Sequence, residues 1–139
     1  MRVDVEFPGG LRVDACIGRH RIATDQSQAQ GGEGSAPSPL AHFYASLATC
    51  AGFYALRFCR TRDLSTEGLG VTLETAHGAE GRLAGVSIRI AMPVGFPDRY
   101  REAIRRAAEQ CAVHQFILEP VPIEIAVEPA ASVAPTDPS

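Results

Sequence analysis

The chain opens on alternation. Val3, Val5 and Phe7 alternate with Asp4 and Glu6, Pro8-Gly9-Gly10 interrupts, and Leu11, Val13, Ala15 and Ile17 alternate again. A period of two with glycine and proline between the runs predicts two paired strands. Gly18 breaks the second run, and Arg21-Ile22-Ala23-Thr24 predicts a third, shorter strand. The stretch QSQAQGGEGSAPS from Gln26 to Ser38 has no period and reads as a polar loop. Its GGEG matches neither the dinucleotide nor the Walker phosphate-loop pattern.

The period then changes to that of a helix. Ser38 is placed to cap it and Pro39 to open its first turn, over a span of about 39–62. Leu40, Phe43, Tyr44, Leu47, Ala48, Ala51, Tyr54, Ala55 and Phe58 cover a wide face. Between Leu40 and Leu56 only His42, Ser46 and Thr49 are clearly polar, which predicts a central helix buried on most sides. Two strands follow, through Leu69–Thr75 and Val86–Met92. A second, amphipathic helix opens at Phe96-Pro97-Asp98, with Tyr100, Ile104, Ala107, Ala108 and Cys111 on its apolar face. Val113 to Leu118 continues as a helical turn, and Val121, Ile123, Ile125 and Val127 predict a last strand. The order is βββ-α-ββ-α-β, an α+β domain with antiparallel sheets around one long apolar helix. Residues 1–128 form that domain and 129–139 a disordered tail.

Composition narrows the function. At 139 residues the chain makes one domain that buries roughly two thirds of its unfolded surface without a metal or disulfide. The net charge of −3 argues against nucleic acid as a partner. No apolar run approaches the roughly 20 residues of a membrane span, and the amino terminus lacks a signal-peptide core, so a cytoplasmic location is expected. All 13 basic residues are arginine, which removes Schiff-base chemistry and a phosphate-loop lysine.

The four cysteines are Cys16, Cys50, Cys59 and Cys111, with no CxxC pair. Cys50 lies in the apolar stripe of the long helix. Cys59 is nine residues further, half a turn off and about 13 Å along the axis, so these two cannot bond within the helix. Cys111 and His114 make a C-x-x-H that could hold half a metal site, but no second pair completes it. A buried cysteine is most often a small hydrophobe. Periodicity alone therefore leaves Cys50 open between core packing, a nucleophile with His114 as base, and a metal ligand.

Asp25, the Gly-Gly loop and SAPSPLAHFYASLATC, followed by EQCAVHQ 61 residues after Cys50, resemble the OsmC/Ohr family, specifically its broader OsmC-like branch. The family carries a glycine-rich loop, a proline, a long apolar helix with Ala-x-Cys, and a second cysteine motif after an amphipathic helix. The resemblance implies a thiol peroxidase for organic hydroperoxides, acting as an intertwined homodimer and recycled by a dithiol reductant of the dihydrolipoamide or thioredoxin type. It implies no cofactor or metal. Cys50 matches the peroxidatic cysteine and Cys111 the resolving one. Gly18-Arg19-His20-Arg21 occupies the place of the active-site arginine, with Arg19 the assignment and Arg21 its competitor. The organic-hydroperoxide branch has a glutamate just after the helix proline, where this chain has Leu40, Ala41 and His42. That departure keeps a second function in view, a dimeric redox-sensing or small hydrophobic ligand-binding module.

The implied chemistry needs a thiolate. A thiol of pKa about 8.5 is only about 3% ionised at pH 7, and a guanidinium beside it would raise that fraction.

Overall fold

The computed structural model describes residues 1–129. The elements are β1 (Asp4–Gly9), β2 (Arg12–Ile17), β3 (His20–Ile22), α1 (Pro39–Arg60), β4 (Gly70–His77), β5 (Leu83–Ala91), α2 (Arg101–Glu109) and α3 (Ala112–Leu118). This is an α+β fold with two antiparallel sheets, β1-β2-β3 and β4-β5. In the first sheet Val5 faces Ala15 and Cys16 faces Arg21; in the second Leu73 faces Ile88. The β1–β2 turn passes through Gly9 and Gly10 at φ +139° and +57°, conformations that glycine adopts without a Cβ clash.

Helix α1 begins as its sequence predicts. The Ser38 hydroxyl accepts from the Ala41 amide at 3.2 Å, and Pro39, which has no amide hydrogen to satisfy, takes the first helical position. Arg57 and Arg60 in the last turn complement the carbonyl end of the dipole. The core gathers around the second half of this helix. Ala55, Phe58, Cys59 and Ile104 are buried together, packed by Leu69, Ile90, Phe96 and Tyr100 from the second sheet and the approach to α2. The Phe58, Phe96 and Tyr100 rings meet in tilted and edge-on pairs with centroids 5.9–6.5 Å apart.

Three expectations are corrected. First, Cys111 does not sit on α2. That helix ends at Glu109, Gln110 closes its last turn, and Cys111 turns extended (φ −51°, ψ 123°) to become the N-cap of the separate helix α3. Second, the last strand does not form. Val121, Ile123, Ile125 and Val127 keep their alternation but carry no strand pairing, and Ile125 is 91% exposed. A strand exists only by bonding to an edge, and among the described residues no edge takes this segment. Third, α1 is not buried on most sides. Leu47 and Ala51 are covered, but Leu40, Phe43 and Phe53 are exposed because one chain covers only one side of the helix. The first sheet is equally bare. No helix packs broadly on it, and Phe7 is 76% exposed. Of the expected tail 129–139, all but Pro129 lies outside the described residues.

Candidate active site

The corner between α2 and α3 brings the second cysteine to the first. Cys111 is fully buried, and its Sγ stands 4.0 Å from the Leu47 carbonyl, one turn before Cys50 on α1. The capping geometry that ends α2 and starts α3 also aims the first amides of α3 at the pair. The His114 amide donates to Cys111 Sγ at 3.4 Å, and the Ala112 and Val113 amides act on Cys50.

These contacts separate the four thiols. Burial pushes Cys50 up, but donation from the Cys111 thiol and from the Val113 and Ala112 amides outweighs it, and Cys50 ends below its usual 9.0. Cys111 moves the other way, raised by burial and by holding its proton for Cys50. Burial also raises Cys59 and Cys16, the latter with help from Glu6. Cys50 alone of the four is shifted toward thiolate. All four are free thiols in the structure.

Beside Cys111 opens a cavity of about 650 Å³. Leu40, Phe43, Leu47, Val86, Ile88 and Ile90 make most of its wall, with Arg105 and His114 as polar points at its rim. A mainly apolar pocket of this size with a few polar groups suits a small organic ligand. The Arg105 guanidinium is tied to Glu102 at 2.6 Å and to Glu109. The His114 ring places Nδ1 3.4 Å from the Glu109 carbonyl, which can only accept. This contact turns Nδ1 toward its own backbone rather than toward Cys50.

The cations named by the sequence lie elsewhere. Arg19 occupies the exposed β2–β3 turn and is not among the groups that shift Cys50. Arg21 is engaged within its own sheet, bonded to the buried Asp14 at 2.9 Å and to Glu6 at 3.1 Å. Burial pushes the Asp14 carboxyl up, but Arg21, the Thr24 amide and Arg12 together bring it below the usual carboxylate range. Asp25 is buried too, and is spent on the loop. It accepts from the Ser35 hydroxyl at 2.7 Å, the Ser35 amide at 3.0 Å and the amides of Gln26 and Glu33, and Ser35 leads in lowering it. His42, on the first turn of α1, donates from Nε2 to the Ala23 carbonyl at 2.9 Å, joining the helix to the first sheet.

Sequence reasoning named Cys111 but missed the other groups that tune Cys50. They are the Ala112 and Val113 amides, created by a helix break that no glycine or proline announces. Only the C-x-x-H spacing, which places His114 on the first turn after Cys111, carried a trace of them.

No helix among the described residues is long and apolar enough to cross a membrane. No curated protein matches the chain. Solved structures do. A Psychrobacter arcticus 273-4 protein, described in terms of osmotic stress induction and a detoxification response, is similar over 81% of this chain and 85% of its own, at 24% identity and a TM-score of 0.69. An OsmC-like protein from Mycoplasma pneumoniae is similar over 84% and 86%, at 13% identity and a TM-score of 0.67. An organic hydroperoxide resistance protein OsmC from Legionella pneumophila is similar over 84% and 89%, at 22% identity and a TM-score of 0.57. At these identities the likeness speaks for the fold. The family model described as OsmC-like protein matches residues 32–126, which take in the second half of the glycine-rich loop, α1, Cys50 and Cys111. On that match the chain belongs to the OsmC-like protein family.

Proposed function

We propose that the protein is a thiol-dependent peroxidase that reduces organic hydroperoxides, with Cys50 as the attacking thiolate and Cys111 as the resolving thiol. One observation carries this reading: of four thiols, Cys50 alone is lowered, and the group that lowers it most is Cys111. The neighbouring apolar cavity and the hydroperoxide-resistance names of structural relatives support it further.

Cys50 thiolate attacks the outer peroxide oxygen, the O–O bond breaks, and the alkoxide leaves to take up a proton as alcohol. Cys50 becomes sulfenic acid, and Cys111 condenses with it, forming the disulfide and releasing water before overoxidation. A dithiol of dihydrolipoamide or thioredoxin type reduces the disulfide and is itself oxidised. The thiolate must exist near neutral pH, and the Cys111 thiol and the first amides of α3 supply that bias. The buried, proton-holding Cys111 is a poor competitor for the peroxide, which fits a resolving role.

Homodimerisation belongs to the same proposal. The bare face of α1, the exposed first sheet and the unpaired 121–127 segment all want a cover, and a second copy offers one to each. Arg19, unpaired among the described residues, then has a route to a site other than its own chain's. A cytoplasmic location fits a cycle that depends on a reducing dithiol.

The test is turnover. Wild type should consume cumene hydroperoxide with dihydrolipoamide as reductant, Cys50→Ser should be inactive, and Cys111→Ser should accumulate sulfenic acid. A second reading, a ligand-binding module of the same fold, is favoured by the lack of any arginine among the groups acting on Cys50. It predicts saturable binding of an apolar ligand with no peroxide consumed.

A further inference from the structure

A second cavity lies on a different face of α2 from the apolar one. It is an open cleft of about 740 Å³ between the last turns of α1 and the length of α2. Tyr54, Arg57, Phe58, Arg62, Arg99 and Arg106 line it, with Glu102 as its one acid. Four guanidiniums and one carboxylate give the cleft a net charge of +3, in a chain whose whole net charge is −3.

The single acid does not neutralise this wall. Glu102 is shared between Arg105 at 2.6 Å and Arg106 at 3.0 Å, and these two hold its carboxyl down at about 2. Arg57 and Arg99 have no carboxylate partner among the described residues, whereas Arg101 nearby bonds Asp98 at 2.8 Å. Two of the cleft arginines are pre-placed by aromatic rings. Arg62 stacks 3.8 Å from the Phe58 centroid and bonds the Phe58 carbonyl and Thr61 hydroxyl at 3.4 and 3.3 Å. Arg99 lies 4.8 Å from the Tyr100 centroid. Stacking fixes a guanidinium plane while leaving its N–H edge free to donate.

We infer that this cleft binds an organic phosphate, its phosphoryl oxygens on Arg57 and Arg99 and its flat or apolar body against the half-buried Tyr54 ring. Guanidiniums donate in pairs to a phosphoryl group and suit it better than a single-point anion. The volume exceeds what an inorganic phosphate would fill and falls in the range of sites for whole small molecules. The site requires neither cysteine, so it stands or falls apart from the peroxidase reading.

Calorimetric titration of the full chain at about 0.15 M salt, where exposed charges are screened beyond about 8 Å, tests it. The probes are ATP, inorganic triphosphate and adenosine. Expected are saturable binding of ATP, weaker binding of triphosphate and none of adenosine. R57Q/R99Q should weaken ATP at least about tenfold, since each charge-assisted contact counts for that order, while R101Q, outside the cleft, leaves it unchanged. No saturable ATP binding, an unweakened R57Q/R99Q variant, or an equal loss in R101Q would overturn the site. Triphosphate binding as tightly as ATP would overturn the role given to the aromatic wall.

Discussion

Within one chain the groups that lower Cys50 are a neutral donor and backbone amides, with no arginine among them. The thiol of Cys111 and the Ala112 and Val113 amides favour the anion against the burial that opposes it. The alkylation rate of Cys50 by iodoacetamide should therefore rise with pH about a midpoint below that of an ordinary thiol. In Cys111→Ala that midpoint should move up, because the strongest lowering contact is gone. A midpoint unchanged by Cys111→Ala would mean that the two sulfurs do not communicate. At Gly32 the constraint is space: a Cβ there would run into the Gln26 carbonyl and crowd Asp25 Oδ1. Gly32→Ala should open the loop that Asp25 gathers and lower the melting temperature, whereas Gly34→Ala, with nothing within 4 Å, is limited to the strain of its φ of +67°.

Helix α1 is the element that joins fold to site, and its start was readable residue by residue. Ser38 caps and Pro39 follows because those side chains meet local needs that do not depend on the rest of the chain. Ser38→Ala should cost about 1 kcal/mol in denaturant unfolding. Ile104, with no exposed surface, ties α2 to that helix, and Ile104→Ala should cost about 2–5 kcal/mol. The break between α2 and α3 was not readable. Ala108, Cys111 and Leu118 continue the apolar rhythm across Gln110, so nothing local marks the corner, and tertiary packing under α1 decides it. On α2 the acid Glu102 has a pKa of about 2 against the usual 4.5, held mainly by Arg105 and Arg106. A lowered acid stabilises the fold above its unfolded value and stops doing so as it protonates. Its contribution should be intact above about pH 4.5 and fade toward about pH 2, and Glu102→Gln should flatten the fall of melting temperature in that window. A slope identical to wild type would show that the ladder adds nothing to acid stability.

A single chain leaves much apolar surface in view, and this motivates the proposed second copy. Leu40, Phe43 and Phe53 on α1, Phe7 on the first sheet and Ile125 beyond α3 face outward on separate elements. The alternation at 121–127 reads as a strand, but a strand needs an edge to pair with, and among the described residues none takes this segment. Sedimentation should give a dimer, and Ile123→Lys with Ile125→Lys should shift it toward monomer with loss of peroxide turnover. A stable wild-type monomer with full turnover would remove the second copy from the account. The claim on which the functional reading depends is that Cys50 and Cys111 act on each other. Peptide mapping by mass spectrometry after one equivalent of cumene hydroperoxide tests it most directly. A Cys50–Cys111 disulfide with Cys16 and Cys59 still reduced is the expected product; recovery of Cys50 and Cys111 as unlinked thiols with the hydroperoxide unspent would show that they do not act on each other.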